Sequence, residues 1–166
     1  MEKEITEVYC GNGRGKTTLA IGQALRASSQ GKSVIIIQFL KGNERRELDF
    51  LEELDQLDIK IFRFEKMETC YDQLNEEEQA EEERNILNGL NFARKVIATQ
   101  ECDFLVLDEI LGLLDKHIAT VDMVVGLLKQ KDESMHLILT GNRVDPGILD
   151  YVDSVCLLYT SDAADD

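Results

Sequence analysis

The segment Gly11-Asn12-Gly13-Arg14-Gly15-Lys16-Thr17-Thr18 packs three glycines, a lysine and two hydroxyls into eight residues. Glycines let successive backbone N–H groups converge on phosphate oxygens, and a helix beginning at Lys16 adds the positive end of its dipole. Lys16 supplies a point charge for the phosphates, and the Thr17 hydroxyl is of the kind that ligates Mg2+. Gly11 through Thr18 are therefore the candidate grip on the triphosphate of Mg-ATP. The common pattern, G-x-x-x-x-G-K-[ST], opens with a glycine where this chain has Cys10. The plainer alternative is a glycine-rich turn closing a strand–helix junction. A GKTT run with the right flanks outweighs it.

A second signal is Phe104-Leu105-Val106-Leu107-Asp108-Glu109. An apolar strand that delivers carboxylates at its C-terminal end supplies the magnesium side of a phosphate-loop site. Asp108 and Glu109 join Thr17 as candidate metal-site residues, and Glu109 could also serve a hydrolase as base. Taken alone the run is weak, because a core strand ending in a solvated turn looks the same. Two further strand exits, Gln38-Phe39-Leu40-Lys41-Gly42 and Thr140-Gly141-Asn142-Arg143, fall on the same sheet edge. Gln38 and Lys41 are candidate nucleotide contacts, although turn chemistry accounts for such residues equally well.

These groups need elements to hold them, and short apolar runs alternating with helical patterns predict a parallel sheet with crossover helices. Strands are expected at Ile5–Cys10, Ser33–Phe39, Ile59–Phe64, Asp103–Leu107, Met135–Thr140 and Ser154–Leu158. A helix is expected from Lys16 to about Ser29, with Ile21, Ala24, Leu25 and Ser28 inward and Gly22 allowing close packing on the sheet. Gly31 suits its left-handed C-terminal cap. Glu44–Gln56 reads as a short helix. Asn75 caps the longest one, with Glu78 at capping-box spacing and an apolar stripe of Ile86, Leu90, Ala93 and Ile97. The acidic run Glu76–Glu83 reads as its solvated face. Further helices are expected at Val121–Gln130 and Pro146–Tyr151. The expected fold is α/β: one three-layer, P-loop NTPase-like (RecA-like) domain over residues 1–158, with a mostly parallel sheet.

Eighteen basic against thirty-three acidic residues give a net charge of −15, which disfavours non-specific binding to nucleic acid or to an anionic membrane. No apolar run approaches the ~20 residues of a membrane helix, and the charged Met1-Glu2-Lys3-Glu4 start is unlike a signal peptide. Cys10, Cys70, Cys102 and Cys156 lie far apart and read as free thiols of a cytoplasmic protein. His117 and His136 are isolated and read as surface or packing residues. Tyr159–Asp166 (YTSDAADD) has no apolar pattern. A disordered terminus, an expression scar or translated sequencing-adapter read-through would each account for it, and no function is expected there.

Several stretches together resemble the P-loop family of ATP:corrinoid adenosyltransferases: VYCGNGRGKTT, ALRA before Gly31-Lys32, VIIIQFLKG, IKIFRF, LVLDEI and LILTGN. They run from about Val8 to Leu158. Those enzymes move the adenosyl group of ATP onto the cobalt of cob(I)alamin or cob(I)yrinic acid a,c-diamide. The resemblance implies that Gly13, Gly15, Lys16, Thr17 and Thr18 hold the triphosphate. It further implies that Glu109 and Thr17 bind Mg2+ with support from Asp108, and that Lys16, Thr17 and Glu109 carry catalysis. In the family the nucleotide lies reversed in the loop, with the ribose 5′ carbon exposed to cobalt, a nucleophile potent enough to need no base. Family members are often dimers. Two departures stand out. Many members pack a Phe-Thr-Trp segment against the corrinoid, where this chain has Met67-Glu68-Thr69-Cys70-Tyr71 and no Trp. Aromatic packing falls to Tyr71 or Phe64. The family's basic, Gly-containing end is also replaced by the acidic tail. From the motifs alone, a P-loop NTPase, a small-molecule kinase, or a nucleotide- or corrinoid-binding module without turnover remain open.

Overall fold

The computed structural model describes residues 4–40, 51, 53–54 and 56–161. Most of the short helix expected over Glu44–Gln56 lies outside them, as does Lys41. Chain order is β1 (Thr6–Cys10), α1 (Lys16–Ser29), β2 (Val34–Gln38), β3 (Ile59–Arg63), a 3-10 turn (Tyr71–Gln73) and α2 (Glu76–Thr99). It continues with β4 (Phe104–Asp108), α3 (Ile110–Asp115), α4 (Val121–Gln130), β5 (His136–Thr140), α5 (Pro146–Leu149) and β6 (Ser154–Leu157). The six strands form one sheet in the order β3-β2-β4-β5-β1-β6. Every pairing in it is parallel.

Strand periodicity sorts the sheet residues between two helical layers. Val8, Ile35, Ile37, Leu105, Leu107 and Leu137 share a core with α2, α3, α4 and α5. Their chain neighbours Tyr9, Val34, Ile36, Phe104, Val106 and Ile138 face α1 on the other side. β2 and β4 are buried at all five positions, as central parallel strands are.

α1 approaches its face through Ala20, Ala24 and Ala27, which are 1%, 0% and 4% exposed. That corrects the expected stripe: Ile21, Leu25 and Ser28 are only half-buried, and small side chains make the close contact instead. Gly22 is exposed, and a Cβ there would meet nothing within 4 Å, so it contributes no close approach. Gly31 does take the left-handed conformation, at φ 84°. On the opposite layer Asn75 and Glu78 form the capping box, and Ile86, Leu90, Ala93 and Ile97 are buried as expected. The acidic face is mostly solvated. Glu82 departs from it: buried, it accepts hydrogen bonds from the Lys66 N–H at 3.0 Å and the Asn85 side chain at 2.8 Å.

Candidate active site

β1 delivers the glycine loop at its C-terminal end, and the loop turns into α1 at Gly15, whose φ of 99° is a conformation that L side chains avoid. No side-chain hydrogen bond caps α1, and the N–H groups at a helix start are suited to an anion. The Lys16 ammonium folds back over the loop and donates to the carbonyl oxygens of Gly11 and Gly13 at 2.7 and 3.0 Å. Asn12, Gly13, Arg14, Gly15, Lys16, Thr17 and Thr18 line a cleft of about 490 Å3, together with Glu109 and Asn142.

Cys10, at the position of the pattern's first glycine, is buried in β1. Burial pushes its thiol pKa up, opposite to what a reactive thiolate needs. The chain beyond β6 runs beside the loop: the Gly13 N–H donates to the Leu158 carbonyl at 2.8 Å and the Arg14 N–H to Thr160 Oγ1 at 2.7 Å.

β5 lies between β1 and β4, so the loop and the acidic strand end are one strand apart. Thr17 bridges that gap. Its hydroxyl lies 2.9 and 3.2 Å from the two carboxylate oxygens of Asp108. Asp108 is 1% exposed and stands behind Thr17 rather than in the cleft. Glu109 does reach the cleft. It sits at φ 63°, a left-handed conformation that costs a non-glycine residue roughly 1–3 kcal/mol, and its N–H is held by Thr140 Oγ1 at 2.8 Å. That turn swings the chain from β4 directly into α3, a helix not expected from the sequence.

Gln38, expected against the nucleotide, is 2% exposed with both ends of its amide engaged. Its nitrogen donates to Asp108 Oδ2 at 3.2 Å, and its oxygen accepts from Arg63 Nε at 2.7 Å. Of the second strand exit, Thr140 donates to Asp108 Oδ1 at 2.7 Å and Asn142 lines the cleft. Arg143 instead pairs with Asp115 at the surface, 3.2 Å away. Gly141 is required by packing, because a Cβ there would come within 2.4 Å of Leu111 Cβ on α3.

The donors at the cleft are all oxygens, the Thr17 hydroxyl and the Glu109 carboxylate backed by Asp108. This set fits Mg2+, which binds through one or two carboxylates plus substrate phosphates. Among the described residues no cluster of three or more His, Cys, Asp or Glu is found that could hold a metal ion by itself.

A second cleft of about 500 Å3 adjoins the first, sharing Glu109 and Asn142 and lined also by Leu40, Tyr71, Asp72, Gly112, Asp115 and Lys116. Lys116 pairs with Asp72 at 2.7 Å and lies 5.9 Å from the centre of the Tyr71 ring. The Tyr71 hydroxyl donates to Glu83 at 2.5 Å, and burial together with that carboxylate raises its pKa to about 12. Phe64, the other aromatic expected near the substrate, turns inward instead and packs 5.5 Å from Phe92.

Sequence reading overlooked Arg63 and left Thr140 and Asn142 undecided. Strand parity could have found Arg63, because it is in phase with Ile59 and Ile61 at the end of an otherwise apolar strand face.

Comparison with known proteins accords with this geometry. The chain is 31% identical over 159 residues to the corrinoid adenosyltransferase of Escherichia coli K12, covering 93% of this chain and 76% of that protein. To the corrinoid adenosyltransferase CobA of Salmonella typhimurium it is 29% identical over 157 residues, with the same two coverages, 93% and 76%. The crystal structure of a KaiC-like protein from Pyrococcus horikoshii shares the fold at TM-score 0.62 and 19% identity, covering 93% of this chain and 71% of that one. Residues 2–160 match the family ATP:corrinoid adenosyltransferase BtuR/CobO/CobP, and the chain belongs to that family.

Proposed function

We propose that this protein transfers the 5′-deoxyadenosyl group of ATP to the Co(I) centre of a corrinoid, releasing triphosphate, in adenosylcobalamin biosynthesis or salvage. The corrinoid is cob(I)alamin or cob(I)yrinic acid a,c-diamide. The observation that carries this reading is the meeting of two clefts at Glu109 and Asn142, one lined by the glycine loop and one open beside it. A group-transfer enzyme needs two substrates side by side, whereas a simple hydrolase needs only a water.

In this reading the N–H groups at the start of α1, Lys16 and Thr18 hold the triphosphate, and Thr17 and Glu109 hold Mg2+. The Gly13 and Arg14 N–H groups exchange their bonds to Leu158 and Thr160 for phosphate oxygens. The metal's contribution is to draw negative charge off the departing triphosphate. Cobalt supplies both electrons of the new Co–C bond, and the electron pair of the broken C5′–O bond leaves with the triphosphate. No proton moves, so no base is required. Lys16 exchanges its bonds to Gly11 and Gly13 for phosphate oxygens. The second cleft receives one face of the corrinoid, with Tyr71 in the place of the family's tryptophan. Action in the cytoplasm and assembly as a homodimer complete the reading and rest on family membership. No catalytic role is assigned to residues 159–166, of which Thr160 meets the loop at the Arg14 N–H.

An anaerobic reaction with Mg-ATP and chemically reduced cob(I)alamin tests the proposal. A light-sensitive adenosylated corrinoid should appear together with tripolyphosphate in equal amount. ADP and phosphate in their place would show an NTPase or kinase, and binding without products would leave a binding module.

A further inference from the structure

Four polar residues replace the apolar pattern where the sheet meets the start of α1. Arg63, Gln38 and Asp108 are register partners on β3, β2 and β4. Thr140 ends β5 next to them. Each follows, two residues on, an apolar residue packed on the α1 side: Ile61, Ile36, Val106 and Ile138. By strand alternation they form a polar row across the C-terminal rim of the sheet, on the face toward which Thr17 projects.

The direction of the hydrogen bonds along this row is fixed from both ends. A guanidinium can only donate, so the Gln38 oxygen must face Arg63 and the Gln38 NH2 must face Asp108. At the other end the Glu109 backbone N–H can only donate, so it occupies an acceptor site on Thr140 Oγ1 and leaves the hydroxyl hydrogen for Asp108. Donors thus reach both oxygens of Asp108, Thr140 at Oδ1 and Gln38 at Oδ2. The group that Asp108 can then offer Thr17 is an acceptor, and the Thr17 hydroxyl must spend its single hydrogen on it. What Thr17 has left for the cleft is lone pairs.

From this geometry we infer that Arg63, Gln38 and Thr140 are positioning residues that set the polarity of the Thr17 hydroxyl, so that it presents an acceptor and not a hydrogen to a divalent cation. The inference rests on the magnesium-assisted reading of the site and goes beyond it by assigning three residues behind the site to the metal response. Without the row, nothing holds Asp108 in this orientation and it can rotate off Thr17. Thr17 can then turn its hydrogen toward the cation.

Calorimetric titration with ATP, with and without Mg2+ and without corrinoid, tests this directly. In the parent protein Mg2+ should tighten ATP binding. Gln38→Met and Thr140→Val should each lose on the order of tenfold of that tightening, the scale of one hydrogen bond to a charged group. Their affinity for metal-free ATP should stay within about twofold. Arg63→Met should shift the ratio in the same direction by less, since Gln38 remains to be misoriented only part of the time. Thr140→Ser keeps the hydroxyl and should restore the parent ratio. Each variant serves as its own control, because partial unfolding lowers both affinities together.

An unchanged ratio in Gln38→Met and Thr140→Val, or an equal loss with and without metal, would overturn the assignment. So would a parent protein whose ATP affinity ignores Mg2+, which would also remove the proposed metal role. ADP as reaction product would defeat adenosyl transfer while leaving these binding ratios as they are, so the two failures are distinguishable.

Discussion

Lys16 and Glu109 line the same cleft but are proposed to serve the phosphates and the metal respectively, so their loss should read out differently. The Lys16 ammonium is held on Gly11 and Gly13 at 2.7 and 3.0 Å, carbonyl contacts that phosphate oxygens can replace. Lys16→Met should weaken ATP binding by about a hundredfold, the scale of two charge-assisted hydrogen bonds. Glu109→Gln should leave metal-free ATP binding close to the parent value and lower kcat on the order of a hundredfold. Equilibrium binding beside steady-state kinetics separates the two. At this scale the sequence reveals what a local motif can show: Gly11–Thr18, Asp108 and Glu109 come together as their order suggests. Gln38 was legible as a strand-exit residue but not as a buried one, because its role depends on Arg63, a residue 25 positions away on the neighbouring strand.

Helix α1 carries the loop and meets the sheet through three alanines, so the loop's position depends on how closely the two can approach. Ala24 is fully buried at 0% exposure. Ala24→Leu should cost roughly 1–3 kcal/mol of stability by overpacking and weaken ATP binding as α1 is pushed off the sheet. Denaturant unfolding and an ATP titration measure the two effects. The longer elements were legible because caps and periodicity agree: Asn75 with Glu78 before α2, and Gly31 after α1. Helix α3 was not. It begins directly after Glu109 with no glycine or proline to mark the turn, and Ile110–Asp115 reads as a continuation of the apolar strand. The turn is made by a non-glycine residue at φ 63°, held by Thr140 from another strand. No local signal announces such a conformation.

At the scale of the whole molecule, alternating patterns establish a parallel sheet with crossover helices, but not the strand order β3-β2-β4-β5-β1-β6 that puts β5 between the two halves of the site. The N-terminal rim of the sheet is fastened by polar contacts. Glu4 pairs with Lys32 at 2.7 Å and with His136 at 3.2 Å, and His136 also reaches Glu7 at 2.7 Å. The bond from Lys32, before the weaker influence of His136, lowers the Glu4 pKa below its ordinary 4.5. A carboxylate with a depressed folded-state pKa contributes stability above the ordinary carboxylate range and loses it as pH falls through the depressed value. Glu4→Gln should therefore melt below the parent protein near neutral pH, and the two melting temperatures should converge in acid. A gap that widens as pH falls would contradict the assignment.

The central claim is that the bond broken in ATP is the one at the ribose 5′ carbon. ATP carrying carbon-13 at that position, mixed anaerobically with Mg2+ and a reduced corrinoid, shows the outcome in one spectrum. The account predicts that the labelled resonance leaves the position of a carbon bonded to oxygen for that of a methylene bonded to cobalt, while phosphorus resonances report free tripolyphosphate. A labelled carbon that keeps its oxygen while ADP accumulates would contradict it.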